Sequence, residues 1–141
     1  MKIRLGVSLI VFIMLCMFYQ PVAAQDCAKA TQIARQAFDL GENPTTFPEQ
    51  KRLLTQALQL CPDHPEAHNN LAWILGQERA FEEALPHYQA AVRAKPDYPD
   101  AWYGLGDVYA ELHQFPLSLE AYLHVCKGDK EARNKAVDLL K

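Results

Sequence analysis

From residue 25 onward, apolar positions recur three and four residues apart, the spacing that gathers side chains on one face of a helix. Ala30, Ile33, Ala34 and Ala37 make one such stripe. Ala67, Leu71 and Leu75 make a second, and Trp102, Leu105, Gly106 and Tyr109 a third. Between and after these run complementary stripes: Ala84, Leu85, Tyr88, Ala91 and Val92, then Leu119, Tyr122, Val125 and Cys126. No stretch alternates as a half-buried strand would. The pattern predicts an all-α chain of short amphipathic helices.

The stripes repeat. "CPDHPEAH" at residues 61–68 returns as "KPDYPDAW" at residues 95–102, a shift of 34. At that shift Leu71 maps to Leu105, Ala72 to Gly106, Leu75 to Tyr109, Phe81 to Phe115, Tyr88 to Tyr122 and Ala91 to Val125. Backwards, Phe47, Ala57 and Pro62 precede Phe81, Ala91 and Pro96 by the same interval. Each unit holds two helical stripes separated by a Phe, followed by Pro at Phe47-Pro48 and Phe115-Pro116. Proline suits the first turn of a helix, where its missing N–H would have lacked a partner anyway. The unit is therefore a helical hairpin. Small residues at Ala72, Ala84, Ala91 and Gly106 let helices approach closely, and Tyr88, Tyr109 and Tyr122 fill the space between hairpins. One hairpin cannot bury its apolar face alone, so neighbours must stack.

"WYGLGDVY" followed by Ser118, Tyr122 and Val125 resembles a tetratricopeptide repeat, whose pattern is W-x₂-L-G-x₂-Y, then A-x₃-F, then P. "HNNLAWIL" with "ALPHY" and Pro96 fits the same pattern, with His68 in place of the Trp. The resemblance implies a right-handed superhelix of about three hairpins, with units at about 27–64, 65–98 and 99–128. A capping helix is expected over 129–141, carrying Ala132, Ala136, Val137, Leu139 and Leu140. The first unit lacks the large aromatic and needs about four extra residues in "LGENPTTF". Pro86 falls inside a predicted helix and is expected to kink it.

Residues 1–24 stand apart from this pattern. Lys2 and Arg4 precede the apolar run Leu5–Tyr19, and "QPVAA" supplies a break and small residues. That is the layout of a secretory signal peptide, with cleavage expected between Ala24 and Gln25 and a repeat domain over 25–141. A retained membrane anchor is the alternative, although the run is shorter than a spanning helix needs. A lipoprotein at Cys16 is disfavoured by the bulky Leu15 before it. The expected location is the bacterial periplasm, with inner-membrane anchoring or secretion as alternatives. Residues 1–24 hold two basic groups and no acidic ones, so the remaining chain carries a formal charge of −5. An acidic chain with no basic run argues against nucleic acid and against anionic lipid as partners.

Cys27, Cys61 and Cys126 remain, an odd number, and the fold decides which two can pair. In the hairpin that the resemblance implies, Cys27 opens the first helix and Cys61 closes the second, at the same end. The expectation is a Cys27–Cys61 disulfide and a free, half-buried Cys126, the alternative being three unpaired thiols filling apolar gaps.

Cys61, Asp63, His64 and His68 are metal-competent side chains within eight residues, yet zinc sites usually pair ligands at two separated points. The second copy offers only Lys95, Asp97, Tyr98 and Trp102, so the seam of a repeat explains the octet without a metal. His87, His113 and His124 are scattered without a nucleophile context, and Gly104 and Gly106 lie within a helix rather than after a strand. No enzyme, metal or cofactor is expected. The resemblance instead implies a concave groove lined by the first helix of each hairpin. Residues expected to face it are Thr31 and Arg35, then Asn69, Trp73 and Gln77, then Tyr103, Asp107 and Glu111, with Glu66 and Asp100 at its edge. Only Arg35 brings positive charge to this set, which disfavours capture of a C-terminal carboxylate despite Asn69 and Asn70. The expected function is an adaptor holding a basic or amphipathic peptide of a partner protein, anchored by Trp73 and Tyr103. A self-associating structural module is the alternative, and a metal- or thiol-active protein built on Cys61, His64, His68 and Cys126 comes third.

Overall fold

The computed structural model describes residues 22–125 and 134–137. The apolar run of the N-terminus, Cys126 and most of the expected capping helix lie outside the described residues. Six α-helices follow in order: α1 Val22–Asp39, α2 Phe47–Leu60, α3 Pro65–Gln77, α4 Phe81–Ala94, α5 Pro99–Glu111 and α6 Phe115–Val125. Residues 134–137 are helical as well. Among the described residues there is no strand, and no helix is long and apolar enough to cross a membrane.

Sequence punctuates each helix. Pro65 and Pro99 open α3 and α5, and Pro48 falls in the first turn of α2. The exits of α3 and α5 use a left-handed residue, Arg79 at φ 60° and His113 at φ 58°. After each, the next amide closes a six-to-one bond, Ala80 N–H to Leu75 O and Gln114 N–H to Tyr109 O, both 2.8 Å. This is the Schellman termination, which satisfies carbonyls left over at a helix end. Arg79 and His113 are 34 residues apart, so the repeat extends to backbone dihedrals. The corresponding left-handed residue after α1 is Gly41 at φ 74°, 38 residues before Arg79. The first turn is thus four residues longer, as the sequence indicated. The extra residues form a 3₁₀ turn, Pro44–Thr46, capped by Asn43. Gln50, buried on α2, ties this loop down by donating to Gly41 O and Thr46 Oγ1.

Helices pair as α1–α2, α3–α4 and α5–α6, and each hairpin packs on the next through α2–α3 and α4–α5. The first helices also touch directly, α1 with α3 and α3 with α5, so they share one side of the stack. The result is a right-handed superhelix of three hairpins. Its core is built on alanines in direct helix contact (Ala30, Ala57, Ala67, Ala72, Ala84, Ala91 and Ala101, all fully buried) with Leu54 and Ile74 between them. Two glycines on α5 serve the same close packing: a Cβ at Gly104 would collide with the Tyr88 ring, and one at Gly106 with the Tyr122 ring. Ser118 is fully buried in the slot that Ala84 fills one repeat earlier, and it donates to Gly106 O at 2.8 Å. Leu119 and Leu85, expected in the core stripes, are only half-buried. Pro86 does not interrupt α4, which continues from Phe81 to Ala94 across it. Its ring is exposed, and so is Glu82, whose carbonyl loses its i+4 donor, so water can serve that group.

Candidate peptide-binding groove

The seam octet supplies the first layer of the site. His64 is buried at the N-cap of α3 and accepts the Ala67 N–H at Nδ1, 3.2 Å. Its Nε2 lies 2.9 Å from Thr31 Oγ1, which donates in turn to Cys27 O at 2.9 Å. With Nδ1 accepting, the neutral imidazole donates from Nε2. This chain stitches α1 to α3. Beside it, α1 and α2 bring Cys27 and Cys61 together with Cα atoms 4.9 Å apart and sulfurs in contact.

His68 and Trp102 occupy the same repeat position and make the same bond. His68 Nε2 donates to Pro62 O and Trp102 Nε1 donates to Pro96 O, each 2.8 Å and six residues back. The rest of each ring packs on its own hairpin partner. His68 Nδ1 meets His87 Nδ1 at 2.9 Å, and Trp102 stacks flat on His124 at 3.9 Å. Burial and the adjacent His68 hold His87 below the usual imidazole value, with Glu83 opposing. Each member of the Cys61, Asp63, His64, His68 set is thus turned to packing, capping or solvent. Among the described residues no three His, Cys, Asp or Glu side chains gather as a metal would need.

Helices α1, α3 and α5 line a concave channel of two chambers. The larger, about 1110 Å³, runs between α3 and α5 and contains Asn69, Trp73, Gln77, Tyr103, Asp107 and Glu111. The smaller, about 800 Å³, runs between α1 and α3 and contains Thr31, Arg35, Asn69 and Trp73. Asn69, Trp73 and Asp100 belong to both. The eight groove positions named from sequence therefore lie on one continuous surface.

Their surroundings differ from the sequence picture in three respects. Trp73 is half-buried rather than free of the core. Its ring meets Phe47 of the preceding hairpin edge-on, centroids 5.8 Å apart, while it also walls both chambers. Arg35 is not the lone cation, because Arg79 and Lys135 line the larger chamber. Arg79 sits 3.7 Å from Glu111 and over the Phe81 ring. Asp107 is already engaged: its Oδ1 accepts from Tyr122 Oη and from Lys135 Nζ. Burial, and then the hydrogen bond to the Asp107 carboxylate, raises the Tyr122 phenol well above its ordinary value. At the rim of the smaller chamber, Tyr98 lies beneath Lys95. Burial first, then the charges of Glu66 and Asp100, pushes its phenol up to about 12. Arg79 was missed because it sits in a turn, outside any helical stripe. Lys135 was missed because its segment follows the last full repeat and has no register to fix where it points.

A stack of helical hairpins whose first helices line a channel defines a class of repeat proteins. Residues 53–85 match the model for the tetratricopeptide repeat and residues 80–113 a second model described as TPR repeat, overlapping matches that together take in residues 53–113. The chain is 28% identical over 103 residues to the chloroplastic tetratricopeptide repeat domain-containing protein PYG7 of Arabidopsis thaliana; the match takes in 68% of this chain and 34% of that protein. It spans about a third of that relative's length. Among solved structures, the fold is similar to the TPR2B domain of yeast Sti1 in its pHsp70 complex, with TM-score 0.67, 14% identity, and 82% and 97% of the two chains covered. It is also similar to the first TPR domain of Spaghetti (RPAP3) bound to the HSP90 peptide SRMEEVD, with TM-score 0.64, 18% identity, and 84% and 90% covered.

Proposed function

We propose that this chain is a non-enzymatic adaptor of the cell envelope that holds a peptide or helix of a partner protein in the channel formed by α1, α3 and α5. The observation that carries this reading is the two-chambered surface joined at Trp73, with Tyr103 as a second aromatic further along. Large amphipathic rings in a concave site are the side chains that most often anchor a partner. Solved domains of the same fold hold chaperone peptides, which supports peptide capture as the use of this channel. The partner we infer is basic or amphipathic. Glu42, Glu66, Asp100, Asp107 and Glu111 line the chambers against Arg35, Arg79 and Lys135, of which the last two already face Glu111 and Asp107.

Export through the N-terminal apolar segment is part of the proposal, with retention as an inner-membrane anchor its alternative. The Cys27–Cys61 pairing is also part of it, since bridges persist in oxidising compartments. Mass spectrometry of unreduced exported protein should show both cysteines protected and the chain beginning at Gln25. Alkylatable Cys27 or an intact N-terminus would remove the corresponding claim. Partner capture is tested by Trp73→Ala together with Tyr103→Ala, which should abolish co-purification of the partner while the helical circular dichroism spectrum persists. Undiminished capture by that variant would move the site elsewhere. Self-association is the second reading, favoured by Phe115, Leu117 and Leu123 of α6, which are 47%, 43% and 57% exposed. Sedimentation across concentrations separates it from the adaptor.

A further inference from the structure

At the α5 end of the larger chamber two aromatic rings and a carboxylate surround an ammonium group. Tyr103 and Tyr122 face each other with ring centroids 5.9 Å apart and planes at 59°, two walls of an open box. Asp107 closes the box from α5, held in place by the hydroxyl of Tyr122. The occupant is an ammonium group. Lys135 Nζ lies 4.3 Å from the Tyr103 ring centroid, 5.7 Å from that of Tyr122, and pairs with Asp107. An aromatic face and a carboxylate attract a cation by the same electrostatics, and a partly desolvated site strengthens both. Burial works against the charge of Lys135, but the hydrogen bonds it makes to Asp107 and Tyr103 outweigh it and raise its proton affinity above the ordinary lysine value.

Tyr122 is a core ring, 2% exposed and packed on Gly106, and the box opens to the channel through Tyr103 and Asp107. Tyr103, Asp107, Tyr122 and Lys135 all line the chamber that Trp73 walls at its other side. The Lys135 and Asp107 side chains retain 35% and 41% of their exposure, so the contact is open to exchange with solvent and with a competing side chain. Lys135 reaches the box from residues 134–137, a helical segment in which Ala136 is buried.

We propose that the box formed by Tyr103, Asp107 and Tyr122 is a lysine-recognition subsite of the channel, and that Lys135 is a built-in ligand which a partner's lysine must displace. This rests on the channel being a peptide site and adds the chemistry of one contact. A competing internal ligand reduces apparent affinity by the fraction of molecules in which the subsite is vacant, so removing it tightens binding for the matched ligand alone.

The test uses the full chain and two fluorescein-labelled amphipathic helical peptides that differ at one position, lysine in one and norleucine in the other. Norleucine keeps the apolar stem and removes the ammonium. With Lys135→Gln, the lysine peptide should bind roughly fivefold more tightly than to the wild type, and the norleucine peptide should be unchanged. Adding Asp107→Asn should cancel the gain, and matched thermal melts would show that the variants fold alike. Equal tightening of both peptides, or of neither, while Trp73→Ala still weakens both, would overturn the lysine subsite and leave the peptide channel standing. If neither peptide binds the wild type or Lys135→Gln and Trp73→Ala changes nothing, the channel reading fails and the subsite with it.

Discussion

Gly104 shows how one position carries the register between hairpins. Its missing side chain is filled by the Tyr88 ring from α4, which is buried. Alanine there improves helix propensity but forces a packed aromatic off its place, and overpacking costs about 1–3 kcal/mol. Gly104→Ala should therefore lower the denaturation midpoint, and in a Tyr88→Leu background the same change should be neutral or stabilising. His64 carries a second seam. Losing an N-cap costs about 1 kcal/mol, so His64→Ala should lower stability by that order and leave the Thr31 hydroxyl with its bond to Cys27 O alone. Titration gives a further check at single side chains. The phenols of Tyr88, Tyr98 and Tyr122 are raised, each by burial first. Their protons are held more tightly in the fold than in the unfolded chain. The stability they contribute is complete below pH 10 and falls as pH rises toward about 12, where Tyr98 ionises. His87 has the opposite sign: its value is lowered, so its contribution is complete above pH 6.5 and is lost as pH falls. Denaturant midpoints at pH 5, 7.5 and 11.5 should show losses at both ends, and Tyr98→Phe should shrink only the alkaline one.

The helices were largely legible in the sequence because a 34-residue period is visible in the identities of Pro, Phe, Tyr and small residues. Their ends were less so. Arg79 and His113 adopt left-handed backbone where glycine would announce it; arginine carries no signal of that geometry and histidine only a weak one. Only Gly41 carried the expected residue. His113→Gly should then stabilise α5 by about 1 kcal/mol, because the Cβ no longer meets the following carbonyl. A thermal melt checks it. Trp73 was legible as a groove residue but not as a core contact. Its neighbour Phe47 comes from the second helix of the previous hairpin, and periodicity within one helix cannot reveal it. Gly104 and Ser118 were visible as small residues in tight places, yet the Tyr88 ring and Gly106 carbonyl that explain them come from other helices. The seam octets carried the strongest pattern. Their shared role as a packing surface emerges once His68 and Trp102 donate to equivalent proline carbonyls, Pro62 O and Pro96 O. The side-chain cap at His64 belongs to the first copy alone.

Stacked hairpins gain stability from each interface, and among the described residues the first hairpin packs on one neighbouring hairpin, so additional ties matter there. Cys27 and Cys61 meet at its open end with their sulfurs in contact, and the proposed bridge would close it. A bridge across 34 residues stabilises by about 2–4 kcal/mol. Reduction or Cys27→Ser should lower the unfolding midpoint accordingly, and the first hairpin should lose amide-exchange protection before the third. The curvature of the stack creates the channel, and α1, α3 and α5 bring to it residues far apart in sequence. Whether that channel is where a partner sits can be asked directly with a photo-crosslinking amino acid placed at Gln77, which lines the larger chamber, or at Arg93, exposed on α4. Irradiation in cells that express the chain natively should give one discrete adduct from position 77, abolished by Trp73→Ala, and none from position 93. Equal adducts from both positions, or an adduct from 93 alone, would contradict a partner held in the channel.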